Sequence, residues 1–320
     1  MKKNARNMIV GAGALTAATA VGFYAIIRHL VKIAMDREIP KNLQNKKQLL
    51  KGNKELVDFM DEAVKAADKL VESGCEEVSI TSHDGIRLVG HWRPCENPKR
   101  IIVAMHGWRS SWARDFGIIA DFWHDNSCSV LYVEQRGQGG SAGEYMGFGM
   151  LERYDCMEWV KWVNYRTGGN IPIYLGGASM GATTVLMTAG LELPENVHGI
   201  VADCGFTSPH AIWKHVVENN LHMPYSIYAA AANDLCRRKI HLGAKDYSAV
   251  DAMKKCKVPV LFIHGTDDSF VPVEMTYENY KACAAPKRLF VVPGADHGMS
   301  YYTDKEGYEK CLLEFFEAND

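Results

Sequence analysis

The amino-acid sequence predicts an α/β protein with a mostly parallel, eight-stranded sheet and helices on both faces. Two observations support this prediction. From about residue 76 onward, short apolar runs typical of buried strands alternate with runs of helical periodicity, and connections that contain a helix join parallel strands. In addition, the apolar run 171–175 leads through Gly177-Ala178-Ser179-Met180-Gly181 into a helix-like run, which is a strand–turn–helix unit.

The predicted strands and helices follow one another along the chain, with a short turn at 83–85 joining the first two strands into a hairpin. A stretch at 206–252 breaks the alternation and is predicted to be a small helical lid inserted after the sixth strand. The predicted strands are 77–81, 87–92, 100–105, 129–134, 171–176, 199–202, 258–264 and 288–292, and the predicted helices are 112–124, 149–166, 180–191, 273–284 and 304–317.

Residues 1–39 are predicted to be a single-pass membrane anchor with its flank. An uncharged run from Met8 to Ile27 lies between two basic segments, and as a helix it is about as long as a bilayer core is thick. Two alternatives compete with the anchor. A signal peptide would be cleaved at the small residues 18–20, although the apolar run continues past them. A dinucleotide-binding fingerprint would begin at 11–13, but Thr16 stands where its third glycine is needed.

More Lys and Arg residues follow this run than precede it, which favours a cytoplasmic main domain. A short basic N-terminus ahead of a hydrophobic segment is also how exported domains begin, so both orientations stay open. Residues 40–74 are predicted to be an amphipathic linker helix that ends at Gly74. We expect this helix to pack on the main domain, 75–320, or on a membrane surface; the alternative is a plain connector.

Composition and charge argue against several kinds of site. A net charge of −2 without a basic block excludes the electrostatic footprint of a nucleic-acid-binding protein. The nine cysteines are scattered singly, which is typical of reduced, buried thiols rather than of a disulfide framework. We expect no metal, because ligand pairs at metal-binding spacing are missing. We also expect no cofactor, and the glycine-rich loop 137–143 lacks the lysine of a phosphate-binding loop.

Ser179 is the candidate nucleophile. A serine on a strained turn between strand and helix projects its hydroxyl above the sheet edge, where a histidine can reach it. The flanking glycines are needed because a side chain on either side would collide with the neighbouring strand and helix. A second Gly-x-Ser-x-Gly segment surrounds Ser141, but it leads into a loop rather than a helix. Ser141 is therefore the alternative nucleophile.

His297 is the candidate base, because a serine hydroxyl is a poor nucleophile until a base accepts its proton. It lies in a glycine-flanked loop directly after the last predicted strand. An acid must orient this base, and Asp268, after the seventh strand, is the candidate. The neighbouring Asp267 and, more distantly, Asp203 are alternatives. All four residues follow strands, and Ser179 lies at the same edge of the sheet.

Backbone N–H groups are expected to stabilise the oxyanion that such a nucleophile would generate. One should come from Met180, directly after the nucleophile, and the other from Trp108 in the loop after the third strand. The Trp108 indole is also a candidate to line an acyl pocket. His106 and His264 end strands as well, and for both we expect a loop-shaping role through hydrogen bonds.

The order Ser179, Asp268, His297 on alternating strands and helices resembles the α/β-hydrolase family, in particular its bacterial serine-aminopeptidase-like and lysophospholipase-like members with a short helical lid. In that family the loop after strand four usually reads Asp-x-Arg-Gly-x-Gly with a histidine in the middle, whereas Glu134 and Gln138 stand there in this chain. The matching pieces span about residues 76–318 and are His106-Gly107, the loop 135–141, the turn at Ser179, Asp268 ahead of Val271-Pro272, and His297-Gly298.

The resemblance implies the α/β-hydrolase fold and hydrolysis of an ester, thioester or amide through an acyl-enzyme. From it we expect a serine hydrolase that cleaves a carboxylic ester with a small or lipid acyl group. Two alternatives stay open. One is a peptidase or amidase of the serine aminopeptidase type, and the other is a catalytically silent, membrane-tethered binding domain.

Overall fold

The computed structural model describes residues 22–38 and 54–320. Its centre is one eight-stranded sheet with the strand order β1-β2-β4-β3-β5-β6-β7-β8. β2 pairs antiparallel with β1 and β4, and the later neighbours pair in parallel. The predicted fold class is confirmed, with the hairpin at its start. The strands are β1 (Glu76–Thr81), β2 (Arg87–Arg93), β3 (Arg100–Met105), β4 (Cys128–Glu134), β5 (Ile173–Ala178), β6 (Val197–Asp203), β7 (Val260–Gly265) and β8 (Lys287–Val292).

Helices cover both faces of this sheet, because successive strand residues point to opposite sides and both sides are apolar. In β3, Val103 belongs to one buried cluster together with Trp159, and Ile102 belongs to a second cluster together with Phe316. The helices are α1 (22–35), α2 (Lys54–Glu72), α3 (Trp112–Asp125), α4 (Glu152–Thr167), α5 (Met180–Thr188), α6 (Pro209–His215), α7 (Tyr225–Ile240), α8 (Ala249–Met253), α9 (Val273–Ala282), α10 (Ser300–Thr303) and α11 (Lys305–Glu317).

The segment between β6 and β7 is helical, where the sequence predicts the lid at 206–252. It contains α6, a π-helical turn at Val216–Asn220, α7 and α8. α6 begins where it does because the Ser208 side chain accepts a hydrogen bond from the Ala211 N–H and Pro209 occupies the first turn. α7 ends at His241, whose φ of 59° stops the helix.

α1 contains the end of the apolar run for which a membrane span is predicted. Its residues Ile27, Val31 and Met35 recur every fourth position and are buried in the larger core cluster. Of the predicted run, Ile27 therefore packs on protein, whereas Phe23, Tyr24 and Ile26 are exposed. Within residues 22–38 and 54–320, no helix combines the length and apolarity that crossing a membrane requires. Residues 1–21, with most of the predicted anchor, the signal-peptide site and the fingerprint, lie outside the described residues.

α2 packs on α3 over the second face of the sheet, so this part of the predicted linker is not a plain connector. The two helices approach closely at Gly117, where a Cβ atom would lie 2.7 Å from backbone atoms of Ala66 and Ala67. An ion pair of 2.5 Å joins Lys69 to Asp121 beside this contact. Residues 40–53 of the predicted helix lie outside the described residues.

Candidate active site

Ser179 lies in the turn between β5 and α5, with a φ of 55° and a ψ of −116°. This left-handed backbone conformation is rare for residues with a side chain and marks a strained turn. Only glycine fits at two positions of this turn. A Cβ at Gly177 would collide with the Gly181 carbonyl, and a Cβ at Gly181 would collide with the Met105 carbonyl. The Ser179 N–H donates to the Asp203 carbonyl at 2.8 Å. The turn thus holds the Ser179 hydroxyl at the carboxyl edge of the sheet.

The structure brings the three residues Ser179, His297 and Asp268 together in one chain of hydrogen bonds. The His297 Nε2 atom lies 2.9 Å from the Ser179 Oγ atom, and its Nδ1 atom lies 2.7 Å from Asp268 Oδ2. They come from the loops that follow β5, β8 and β7. With Nδ1 protonated toward Asp268, the Nε2 lone pair faces the serine hydroxyl.

The Asp268 carboxylate is held by three further contacts, two from peptide N–H groups and one from His264. Its Oδ1 atom accepts hydrogen bonds from the N–H groups of Phe270 at 2.9 Å and Val271 at 2.8 Å. Burial would raise the pKa of Asp268, but the nearby His297 charge and the hydrogen bonds from His264 and His297 outweigh burial and hold this pKa below its ordinary value. The side chain is therefore an anion at neutral pH although it is fully buried.

His264 is in direct contact with this carboxylate, which goes beyond the loop-shaping role predicted for it. Its Nε2 atom lies 3.0 Å from Asp268 Oδ2 and 2.8 Å from the Val271 carbonyl oxygen, and its Nδ1 atom lies 2.7 Å from the Thr276 hydroxyl. Because a carbonyl only accepts, Nε2 must carry the proton and donate it. The sequence signal for this contact is a histidine four residues ahead of an aspartate. Whether the two side chains touch depends on the conformation of the loop between them, which the spacing alone does not determine.

The alternative acids and the alternative serine have other partners. Asp267 is exposed and accepts a hydrogen bond from the Thr266 hydroxyl at 2.7 Å. Asp203 is buried and accepts hydrogen bonds from Ser300 at 3.1 Å and Tyr308 at 3.2 Å. The Ser141 hydroxyl is buried beside β2, where it accepts from the Val89 N–H at 2.8 Å and donates to a carbonyl at 2.5 Å.

The loop after β3 holds Trp108 between two anchored peptide groups. The Gly107 N–H donates to Asp115 Oδ2 and the Arg109 N–H donates to Gln138 Oε1, both at 2.6 Å. Among the described residues, no acceptor engages the N–H groups of Trp108 or of Met180 at the start of α5. The sequence predicts no such role for Gln138, because its partner is 29 residues away in the chain.

Two cavities meet at Ser179. The first, of about 410 Å³, lies beneath α2 and is also lined by His297 and Asp115. The second, of about 330 Å³, is lined by apolar side chains of α1, α6 and α7. Ser179, Trp108 and Phe270 border both cavities. A substrate whose reacting carbon lies at the serine can therefore extend in two directions.

His297 shares its surroundings with Cys204, which the sequence does not single out. All nine cysteines are free, and burial raises the pKa of Cys204 to about 11, so its thiol is neutral at neutral pH. Burial would lower the pKa of His297, but the charge of the Asp268 carboxylate and its hydrogen bond to Nδ1 outweigh burial and raise this pKa above its ordinary value.

Two groups of described side chains have the spacing of metal ligands. Cys204, Asp268 and His297 offer atoms within 4.8 Å of one another; a metal there would occupy the atoms that join the serine to its histidine and acid. The second group is His83 with Asp84 and Asp155. Its carboxylates pair with Arg136 at 2.8 Å and 2.5 Å, so this group works as an ion-pair network.

Comparison with known proteins agrees with the fold. Residues 96–239 match the family model described as serine aminopeptidase, S33. The protein YqkD of Bacillus subtilis is 28% identical over 239 residues, which cover 74% of this chain and 78% of that protein. The Pyrococcus furiosus esterase Pf2001 has a TM-score of 0.64 at 22% identity, covering 77% of this chain and 91% of that chain. A Pyrococcus horikoshii acylaminoacyl peptidase has a TM-score of 0.56 at 16% identity, covering 78% and 43%. The chain therefore has the α/β-hydrolase fold, and its residues 96–239 are similar to the serine aminopeptidase family.

Proposed function

We propose that this protein is a serine hydrolase that cleaves carboxylic esters through an acyl-enzyme. The observation that carries the proposal is the unbroken hydrogen-bond chain from Ser179 through His297 to Asp268, with distances of 2.9 Å and 2.7 Å, at the junction of two cavities. A nucleophile, a base and a buried anion in this order are the groups that acyl transfer requires.

In the proposed mechanism, the Ser179 oxygen attacks the acyl carbon while His297 Nε2 accepts the hydroxyl proton. The Asp268 carboxylate keeps the proton on Nδ1 and stabilises the imidazolium that forms. The N–H groups of Met180 and Trp108 donate to the oxyanion. His297 then donates its proton to the leaving alcohol, and a water molecule activated by the same histidine releases the acid and restores Ser179.

The surroundings of the serine favour an ester over a peptide with a free amino terminus. An aminopeptidase needs an anion to pair with the substrate ammonium group. Among the described residues that line the two cavities, Asp115 is the only carboxylate. Both its oxygens already accept hydrogen bonds, from the Gly107 N–H and the Ser110 hydroxyl. An amide substrate is therefore the second candidate, supported by the family match and the peptidase neighbour.

Ser179→Ala should abolish both labelling by a fluorophosphonate and hydrolysis of p-nitrophenyl esters, lowering kcat by roughly 10⁴–10⁶-fold. The matched control is Ser141→Ala, in the second Gly-x-Ser-x-Gly segment, which should lose some thermal stability because two buried partners are left unpaired but should still label. Labelling that survives in Ser179→Ala would contradict the assignment. Labelling without ester turnover, but with anilide turnover, would favour the amide candidate, and a wild type that does not label would favour a silent domain.

The pH dependence should report the raised pKa of His297. This residue must be neutral to accept the serine proton, so kcat/KM should rise through a pH range above the ordinary 6.5 and then level off. In Asp268→Asn the anion that stabilises the imidazolium is gone. The rise of kcat/KM with pH should therefore occur at lower pH in this variant, while kcat falls by about 10⁴-fold.

Asp267→Asn is the control for this experiment, because Asp267 is adjacent in sequence but exposed. It should keep the wild-type kcat and the wild-type pH dependence of kcat/KM. The assignment of Asp268 as the acid would be wrong if Asp267→Asn, and not Asp268→Asn, shifted the pH at which kcat/KM rises.

Gln138→Ala should lower kcat by about tenfold or more with little change in KM. The Gln138 side chain fixes the Arg109 N–H and with it the neighbouring Trp108 N–H, and loss of one oxyanion donor costs about 10²–10³-fold in known enzymes. Gln138→His, which can still accept a hydrogen bond, should retain most of the rate. An unchanged kcat in Gln138→Ala would show that this residue does not position the loop.

A further inference from the structure

We infer that α1, residues 22–35, is a wall of the active site and that the enzyme selects esters with a linear, apolar acyl chain of medium length. The inference rests on the proposed function, because it assigns a substrate class to the same serine. It starts from the second cavity, which opens beside Ser179 between α1 and the helices of the β6–β7 segment. Leu30 and Val31 of α1 line it together with Trp213 and Tyr228.

The volume of this cavity suits a medium chain. A methylene group needs about as much space as a water molecule, whose share of liquid volume is roughly 30 Å³. The cavity of about 330 Å³ therefore holds on the order of ten methylene groups, close to the tail of a decanoyl group. Because its lining is almost entirely apolar, each buried methylene should improve binding roughly fourfold, whereas a charged substituent would lose its hydration without a partner.

Hydrogen bonds fix α1 to the loop that carries Trp108. The Trp108 indole N–H donates to the Ala34 carbonyl at 2.7 Å. The Arg109 guanidinium donates to the carbonyls of Ile33 and Asp36, each at 2.7 Å. These carbonyls lie at the C-terminal end of the helix, where they lack intrahelical partners and where a cation is favoured.

α1 is also tied to α7, which lines the same cavity. The Asp36 carboxylate pairs with Lys239 at 2.7 Å, and both side chains are mostly buried. Near the other end of α1, the rings of Phe23 and Tyr228 lie 5.8 Å apart. α1 thus contacts both α7 and the loop that carries Trp108. A change in α1 should therefore alter the acyl-chain length that the enzyme prefers.

Leu30→Trp in the full chain tests this assignment, with Ile26→Trp as the matched control. Leu30 lines the cavity, whereas Ile26 is on the same helix and is 45% exposed. In wild type, kcat/KM for p-nitrophenyl decanoate should exceed that for the acetate. Leu30→Trp should lower this decanoate-to-acetate ratio by at least tenfold, and Ile26→Trp should leave it within twofold. Equal ratios in the two variants would overturn the inference.

Leu30→Ala covers the case in which Leu30→Trp does not fold. This smaller side chain enlarges the cavity, so the chain-length optimum should move from decanoate toward laurate or myristate. An optimum that stays at the wild-type length in folded Leu30→Ala protein would also overturn the inference.

A binding measurement separates this inference from the proposed function. Calorimetry with decanoate on Ser179→Ala protein requires no catalysis, and saturable binding is expected. Adding Leu30→Trp should weaken this binding by at least tenfold, and adding Ile26→Trp should not. If Ser179→Ala kept its esterase activity, the proposed function would fail while the cavity assignment would still be tested by binding. If Ser179→Ala did not bind decanoate, the cavity assignment would fail even with the serine confirmed.

Discussion

The contact between the Ser179 turn and the end of β3 is the constraint on which the site depends. Gly181 lies so close to the Met105 carbonyl that a side chain there would displace α5 from the sheet. This contact fixes the first turn of α5, and with it the Met180 N–H and the left-handed backbone of Ser179. The strain of that backbone is maintained because strand and helix are both buried, and it points the hydroxyl toward His297.

Around this turn, buried polar groups hold one another in place. Asp268 stays ionised because two histidines and two peptide N–H groups contact it. Gln138 and the terminal carbonyls of α1 hold the loop of Trp108 from two directions. In a low-dielectric interior such hydrogen bonds are stronger than in water and hold their members in place. The proposed chemistry would use this rigidity, because donors already aligned need no reorganisation as charge develops.

The sequence was sufficient for the sheet, the hairpin and the proximity of Ser179, Asp268 and His297. Periodicity identifies strands and helices, and the carboxyl ends of parallel strands meet at one edge. It was insufficient for Gln138, whose partner is distant in the chain. It was also insufficient at α1, since composition does not tell whether an apolar side chain such as Ile27 faces lipid or a protein core, and only tertiary contacts distinguish the two.

The most direct test of Ser179 as the nucleophile is to trap the acyl-enzyme. Full-length protein mixed with a p-nitrophenyl ester would be quenched in acid during the initial burst, digested and mapped by mass spectrometry. With Ser179 as the nucleophile, we expect a burst of p-nitrophenol close to one equivalent per enzyme and an acyl group on the peptide that contains Ser179. Turnover with no acylated peptide, or acylation at a different residue, would contradict this assignment.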